Sequence, residues 1–125
     1  MKKLYKYIYT MSNDDTNPFT IKERLIKEDS DYPNPEEMTG WEKDYYMYAD
    51  EDNGIAKDAV DNWEHINDTN NGRCFYSFKN DKETMLKFKH KMLEVESENL
   101  ESYVKSVSHI TKRIEKLSKS INEED

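Results

Sequence analysis

Apolar and polar residues alternate with a period of two at the start of the chain and fall at heptad-like spacing towards its end. From Leu4 to Met11, Tyr5, Tyr7 and Tyr9 lie on one side of an extended chain, with Leu4, Lys6 and Ile8 on the other. That pattern predicts a half-buried strand with the tyrosines on its inner face. Ser12–Pro18 is made of turn formers, and alternation resumes over Phe19–Lys27 with Phe19, Ile21 and Leu25 on one side, so the opening segment reads as a β-hairpin. Glu28–Gly40, polar and carrying Pro33 and Pro35, reads as a surface loop whose far end Trp41 pins. Asp44–Ala49 is aromatic enough for a third strand, closed by the run Asp50–Gly54. Ile55, Ala59, Val60, Trp63 and Ile66 fall at helical spacing and predict a short helix. Asn67–Gly72 reads as a loop and Arg73–Phe78 as a strand that rejoins the sheet.

Asn80 followed by Glu83 has the form of a capping box, in which each side chain satisfies a backbone N–H left free at a helix start. From there to about Asn122 the chain has neither Gly nor Pro. The apolar residues of this segment form two runs. Met85, Phe88, Met92 and Val95 are the first, expected to pack on the sheet. Leu100, Tyr103, Val107, Ile110, Ile114, Leu117 and Ile121 are the second, stepping by 3 and 4 in turn like a coiled-coil seam. Between the runs, Glu96–Asn99 offers no apolar anchor, which predicts a bend or register break there. Seven such side chains are too much apolar stripe to stay in water, so the second run is expected to pair with another copy or fold back on its own chain. The expected architecture is α+β: a small antiparallel sheet of about four strands with a short helix over residues 1–79, then a long amphipathic helical segment over 80–125.

Composition changes this picture only slightly. Leu, Ile, Val and Phe number 22 of 125, low enough with a net charge of -8 to suggest disorder, but nine Tyr, two Trp and six Met supply the buried area of a folded domain. A single cysteine, Cys74, permits no internal disulfide and reads as a small buried hydrophobe. Lys6 and the tyrosines interrupt any signal-like run at the N-terminus, and no stretch approaches the ~18–20 apolar residues of a membrane span, so a cytoplasmic protein is expected.

The charge is strongly segregated. Residues 1–27 carry six bases and three acids, residues 28–68 two bases and fourteen acids, and residues 69–125 eleven bases and ten acids. The acidic block disfavours direct DNA binding and suits a basic surface, although a merely solubilising face would look the same. Lys79, Lys82, Lys87, Lys89 and Lys91 make the first helical run basic, which a solvated helix face explains well.

No reaction chemistry is written in the chain. His65, His90 and His109 are scattered, Gly40, Gly54 and Gly72 are not spaced for a dinucleotide or phosphate loop, and no nucleophile elbow occurs. Asp50–Gly54 superficially resembles a calcium loop, but Ala49 and Val60 stand where ligands are required. No enzyme, cofactor or metal is therefore expected. Glu42, Asp44, Asp50, Glu51, Asp52, Asp58 and Asp61, with Tyr46 and Tyr48, are the expected partner-binding residues. Dense carboxylates compete with phosphates for Lys/Arg grooves, and aromatics anchor interfaces. An alternative is a nucleotide sponge in which Arg24, Arg73 or Arg113 meets phosphate while Phe75 or Tyr76 stacks on a base. A structural coiled-coil dimer is the third possibility.

A Lys/Tyr-rich opening hairpin, an acidic aromatic middle and a helical tail within 125 residues resemble the layout of small phage and prophage accessory proteins of the anti-defence type, including anti-CRISPR proteins. The resemblance is one of layout along the whole chain and carries no motif residue. It implies a non-enzymatic inhibitor of a bacterial defence or nucleic-acid-binding protein, acting in the host cytoplasm by phosphate mimicry.

Overall fold

Alternation in the opening strand places large side chains on both of its sides, and both are buried. The structure is a computed structural model that describes residues 1–11 and 17–124. Strand β1 (Lys2–Thr10) pairs antiparallel with β2 (Phe19–Ile26) on one side and β6 (Gly72–Ser77) on the other. A short β5 (Asn67–Thr69) extends β6, giving the sheet order β2-β1-β6-β5. This is the expected small antiparallel sheet. The hairpin turn expected at Ser12–Pro18 lies outside the described residues over Ser12–Thr16, while its β1–β2 register, Tyr9 opposite Phe19 and Tyr5 opposite Glu23, is defined.

One face of the sheet carries Leu4, Ile26, Cys74 and Tyr76, which cluster with Tyr48 and are flanked by Ile8, Tyr46, Ile55, Val60 and Phe78. The opposite face carries Tyr7 and Phe75, packed with Phe88 from the start of helix α2 (Lys82–Glu124). Trp63 stacks on Phe75 at 3.8 Å between ring centroids, and Phe19 meets Phe88 edge-on. The tyrosine face is therefore one of two inner faces. Tyr7 reconciles its polar end with burial by donating its hydroxyl to the Lys79 carbonyl at 2.6 Å.

Between β2 and β6 the chain makes two single 3-10 turns, then α1 (Gly40–Asp44), β3 (Tyr45–Met47) and β4 (Gly54–Ala56). β3 and β4 form a separate two-stranded ribbon, so the expected third strand exists but does not join the main sheet. The short helix expected over Ile55–Ile66 does not form. Ile55 pairs with Tyr46 in the ribbon, a single 3-10 turn spans Lys57–Ala59, and Val60 bridges to Tyr76. Asp61 then takes a left-handed φ of 54° and gives its N–H to the Tyr76 carbonyl. Such a φ ends a right-handed helix, and Asp is one of the few side chains that tolerate it. The helical spacing of these residues reflects burial against different partners. Likewise Asn67–Gly72 is not all loop, since Asn67–Thr69 is a strand joined to β6 through Asn70 and Asn71. Gly72 is required there, because a Cβ would strike the Tyr9 carbonyl of the adjacent strand.

The α2 cap lies one residue later than the sequence suggests. Asp81, not Asn80, accepts from the Thr84 N–H at 2.7 Å, and hydrogen bonding to the Thr84 side chain together with that contact holds the Asp81 carboxyl below its ordinary range. The helix is continuous through Glu96–Asn99. Backbone hydrogen bonding and the absence of Gly and Pro decide continuity, not the apolar stripe, so the expected register break leaves the helix intact. The chain divides into two compact units, Met1–Phe88 and Lys89–Asp125. No helix among the described residues is long and apolar enough to cross a membrane.

Candidate functional site

In the first unit, chemistry gathers where the ribbon is tied to the outer edge of β2. Ala49 N–H donates to the Leu25 carbonyl at 3.0 Å, Lys27 N–H to Met47 at 2.8 Å, and Ile26 bridges to Tyr48. These bonds set Tyr48 beside Arg24. The guanidinium carbon lies 3.8 Å from the Tyr48 ring centroid, and Nη2 is 2.7 Å from Glu51 Oε1 and 3.5 Å from Asp50 Oδ1. Hydrogen bonding to Glu51 raises the Arg24 pKa further, so the guanidinium stays charged. A cation is thus held between a ring face and two carboxylates, the arrangement in which cation–π attraction and charge-assisted hydrogen bonding add.

Beyond it opens a groove of about 450 Å³ lined by Lys27, Tyr32, Trp41, Glu42, Met47, Tyr48, Glu51 and Asp52. Helix α1 positions its wall. The Thr39 hydroxyl accepts from the Glu42 N–H at 3.3 Å, an N-cap that starts the helix, and Trp41 stacks on Tyr45 with centroids 4.0 Å apart. Trp41 stays 52% exposed, so it does not pin the preceding loop to the core. Lys27 Nζ sits 5.6 Å from the Tyr32 ring centroid, and burial pushes the Tyr32 phenol upward. The groove offers aromatic faces, three carboxylates and one resident lysine.

The expected partner-binding residues are only partly brought together. Glu42, Tyr48, Glu51 and Asp52 line this groove, and Asp50 stands beside it on Arg24. Tyr46 lines a neighbouring hollow with Tyr45 and Glu42 and meets Phe78 edge-on. Asp44 and Asp58 are exposed and line neither. Asp61 is engaged in structure: its carboxylate accepts from the buried Ser77 hydroxyl and, at 3.5 Å, from the Phe78 N–H. Elsewhere in the acidic block, Asp31 and Glu28 pair with the N-terminal amine and Asp68 with Arg73. Five of the block's fourteen acids, Glu28, Asp31, Asp50, Glu51 and Asp68, are therefore ion-paired with cations of the chain itself. The sequence reading missed Lys27, Tyr32 and Trp41. The signal for Trp41 was present in Thr39-x-x-Glu42, a capping pattern that places the intervening Trp on a helix surface.

The residues of the nucleotide alternative do not converge within the first unit. Phe75 is fully buried and Tyr76 nearly so, on opposite faces of the sheet, and Arg24 and Arg73 already hold carboxylates. Arg113 belongs to the second unit. Among the described residues, no group of three or more His, Cys, Asp or Glu side chains is placed to hold a metal.

The second unit is simpler. All seven seam residues, Leu100, Tyr103, Val107, Ile110, Ile114, Leu117 and Ile121, are between 49% and 71% exposed. Leu93 is 64% exposed and stands seven residues before Leu100, so it extends the heptad row of Leu100, Val107, Ile114 and Ile121. The sequence reading overlooked it because Met92 and Val95 supplied a competing 3-4 pattern. No protein-family model, curated protein or solved structure matches the chain.

Proposed function

We propose that this chain is a non-enzymatic inhibitor that captures a basic segment of a bacterial defence or nucleic-acid-processing protein in the acidic, aromatic groove of its first unit. The observation that carries this reading is the half-exposed Trp41, stacked on Tyr45 and standing beside Glu42, Glu51 and Asp52. A large aromatic held in the open beside carboxylates is what interface anchors look like. Arg24 provides the internal precedent, being a guanidinium already seated on Tyr48 and chelated by Glu51 and Asp50. An arginine or lysine of a partner would meet the same kinds of group at Trp41, Glu42 and Asp52. Because nucleic-acid grooves draw most of their affinity from phosphate contacts, carboxylates presented this way compete for the same basic residues. The bacterial cytoplasm is the compartment that this reading requires.

Calorimetric titration with an arginine-rich peptide tests it. Binding should weaken about tenfold in Glu42→Gln/Asp52→Asn and become less dependent on salt. Trp41→Ala should weaken it comparably and leave the salt dependence in place. A peptide that binds both variants as it binds the wild type would remove the groove as the capture surface.

A further inference from the structure

The exposed stripe of the second unit also carries an orientation. We infer that it is covered by the same stripe of a second copy of this chain, packed antiparallel; this rests on the second unit alone and does not depend on the groove.

The amount of surface is right for a pair. Eight side chains from Leu93 to Ile121 at roughly 60–120 Å² each give about 500–1,000 Å² per chain, and twice that for two chains, against the ~1,200–2,000 Å² of stable interfaces. The spacing suits a helix rather than a flat surface. A row repeating every seven residues drifts by ~20° per heptad on a straight helix and stays in register only with another helix wound about it. With Leu93, Leu100, Val107, Ile114 and Ile121 at the first core position, Glu96, Tyr103, Ile110 and Leu117 fall at the second, so Glu96 is the one charged residue of the seam over Leu93–Ile121.

Flanking positions ordinarily carry the charges that choose partner and orientation. Here they are Ser97, Asn99, Ser106, Thr111, Ser118 and Ser120, with Val104 and Arg113 as exceptions. Small uncharged flanks let two helices approach closely. Thr111 fits a closing interface because its hydroxyl is already satisfied by the Val107 carbonyl at 2.9 Å.

Orientation then falls to charge distributed along the helix. Glu94, Glu96, Glu98 and Glu101 form an acidic stretch with no base among them. Lys105, Lys112, Arg113, Lys116 and Lys119 follow, interrupted by Glu115 alone among acids. Within the helix, Glu94 pairs with Lys91 and Lys119 with Glu123. A parallel, in-register pair sets each stretch against its own copy. An antiparallel pair with Leu100 level with Leu117 instead sets Glu96 against Ile121 and brings Glu98 and Glu101 of one copy level with Lys119 and Lys116 of the other, the complementary choice. Layers of Leu100 on Leu117, Tyr103 on Ile114 and Val107 on Ile110 then fill the seam.

Spin-label distances decide it. Single labels at Ser108→Cys and Asn122→Cys, both on the outer side of the seam, are measured separately in the full chain with Cys74→Ala. At ~1.5 Å rise per residue, the antiparallel pair places the two Ser108 labels within about 25 Å and the two Asn122 labels about 30–50 Å apart. Any other pattern overturns the proposal. Short separations at both sites mean a parallel pair, and no inter-chain distance at either means no pair. If Cys74→Ala unfolds the protein, the same labels go into the native background, where Cys74 is buried.

Discussion

The two units handle their apolar residues in opposite ways. In Met1–Phe88 the sheet is covered on both faces, so that Tyr7, Phe75 and Phe88 on one side and Leu4 and Ile26 on the other are out of water. In Lys89–Asp125 one helix leaves its entire heptad row exposed. The first unit contains a core of its own, and the groove proposed for capture is lined by what remains half-exposed after that core is closed. In the second, the apolar residues from Leu93 to Ile121 that follow the heptad row stay in the open. Exposed apolar area of that extent marks an interaction surface in soluble proteins.

This contrast can be broken experimentally. Phe88→Ala removes a fully buried ring that touches Tyr7, Phe19 and Phe75, and should cost about 3–5 kcal/mol in urea unfolding. A loss below about 1 kcal/mol would mean that this face of the sheet is not a packed core. Ile110→Glu/Ile114→Glu should weaken self-association at least ~100-fold, since two charges must enter an apolar seam, and leave the near-UV dichroism of the first unit unchanged. Trp41→Ala should shift the melting temperature by no more than about 2 °C, as expected for an exposed site, while still weakening peptide capture. A large drop in stability would assign Trp41 to the core instead.

A subtler effect concerns pH. Hydrogen bonding to the Thr84 side chain and to its N–H lowers the Asp81 pKa in the folded chain below its ordinary 3.8. A depressed carboxyl contributes stability above its unfolded pKa and loses it as pH falls through the folded one. The stability gap between wild type and Asp81→Ala should therefore be constant above about pH 5 and shrink below about pH 4. A gap that widens on acidification would contradict the cap.

Sequence pattern revealed what rests on local periodicity. The β1–β2 alternation, the strand at Arg73–Phe78 and the long Gly- and Pro-free helix are all recognisable because each repeats its signal over several residues. Ile55–Ile66 was misleading because its apolar residues are buried one at a time against Tyr46, Tyr76 and Phe75, and helical spacing arose without a helix. The acidic block was visible as composition, but its internal neutralisation was not. Arg24 meets Glu51 across 27 positions of sequence, and only the tie between β2 and the Met47–Ala49 segment brings them together. Half of the groove was legible as acidic and aromatic residues; Lys27 and Tyr32 entered it through that same long-range pairing.

Sedimentation equilibrium of the full chain from about 1 to 100 µM asks most directly whether the exposed seam is an interface between copies. The mass should rise with concentration towards two chains and fall to one in Ile110→Glu/Ile114→Glu. A wild-type protein that keeps the mass of one chain across that range, with its helical dichroism intact, would show that water and not a second copy covers the seam.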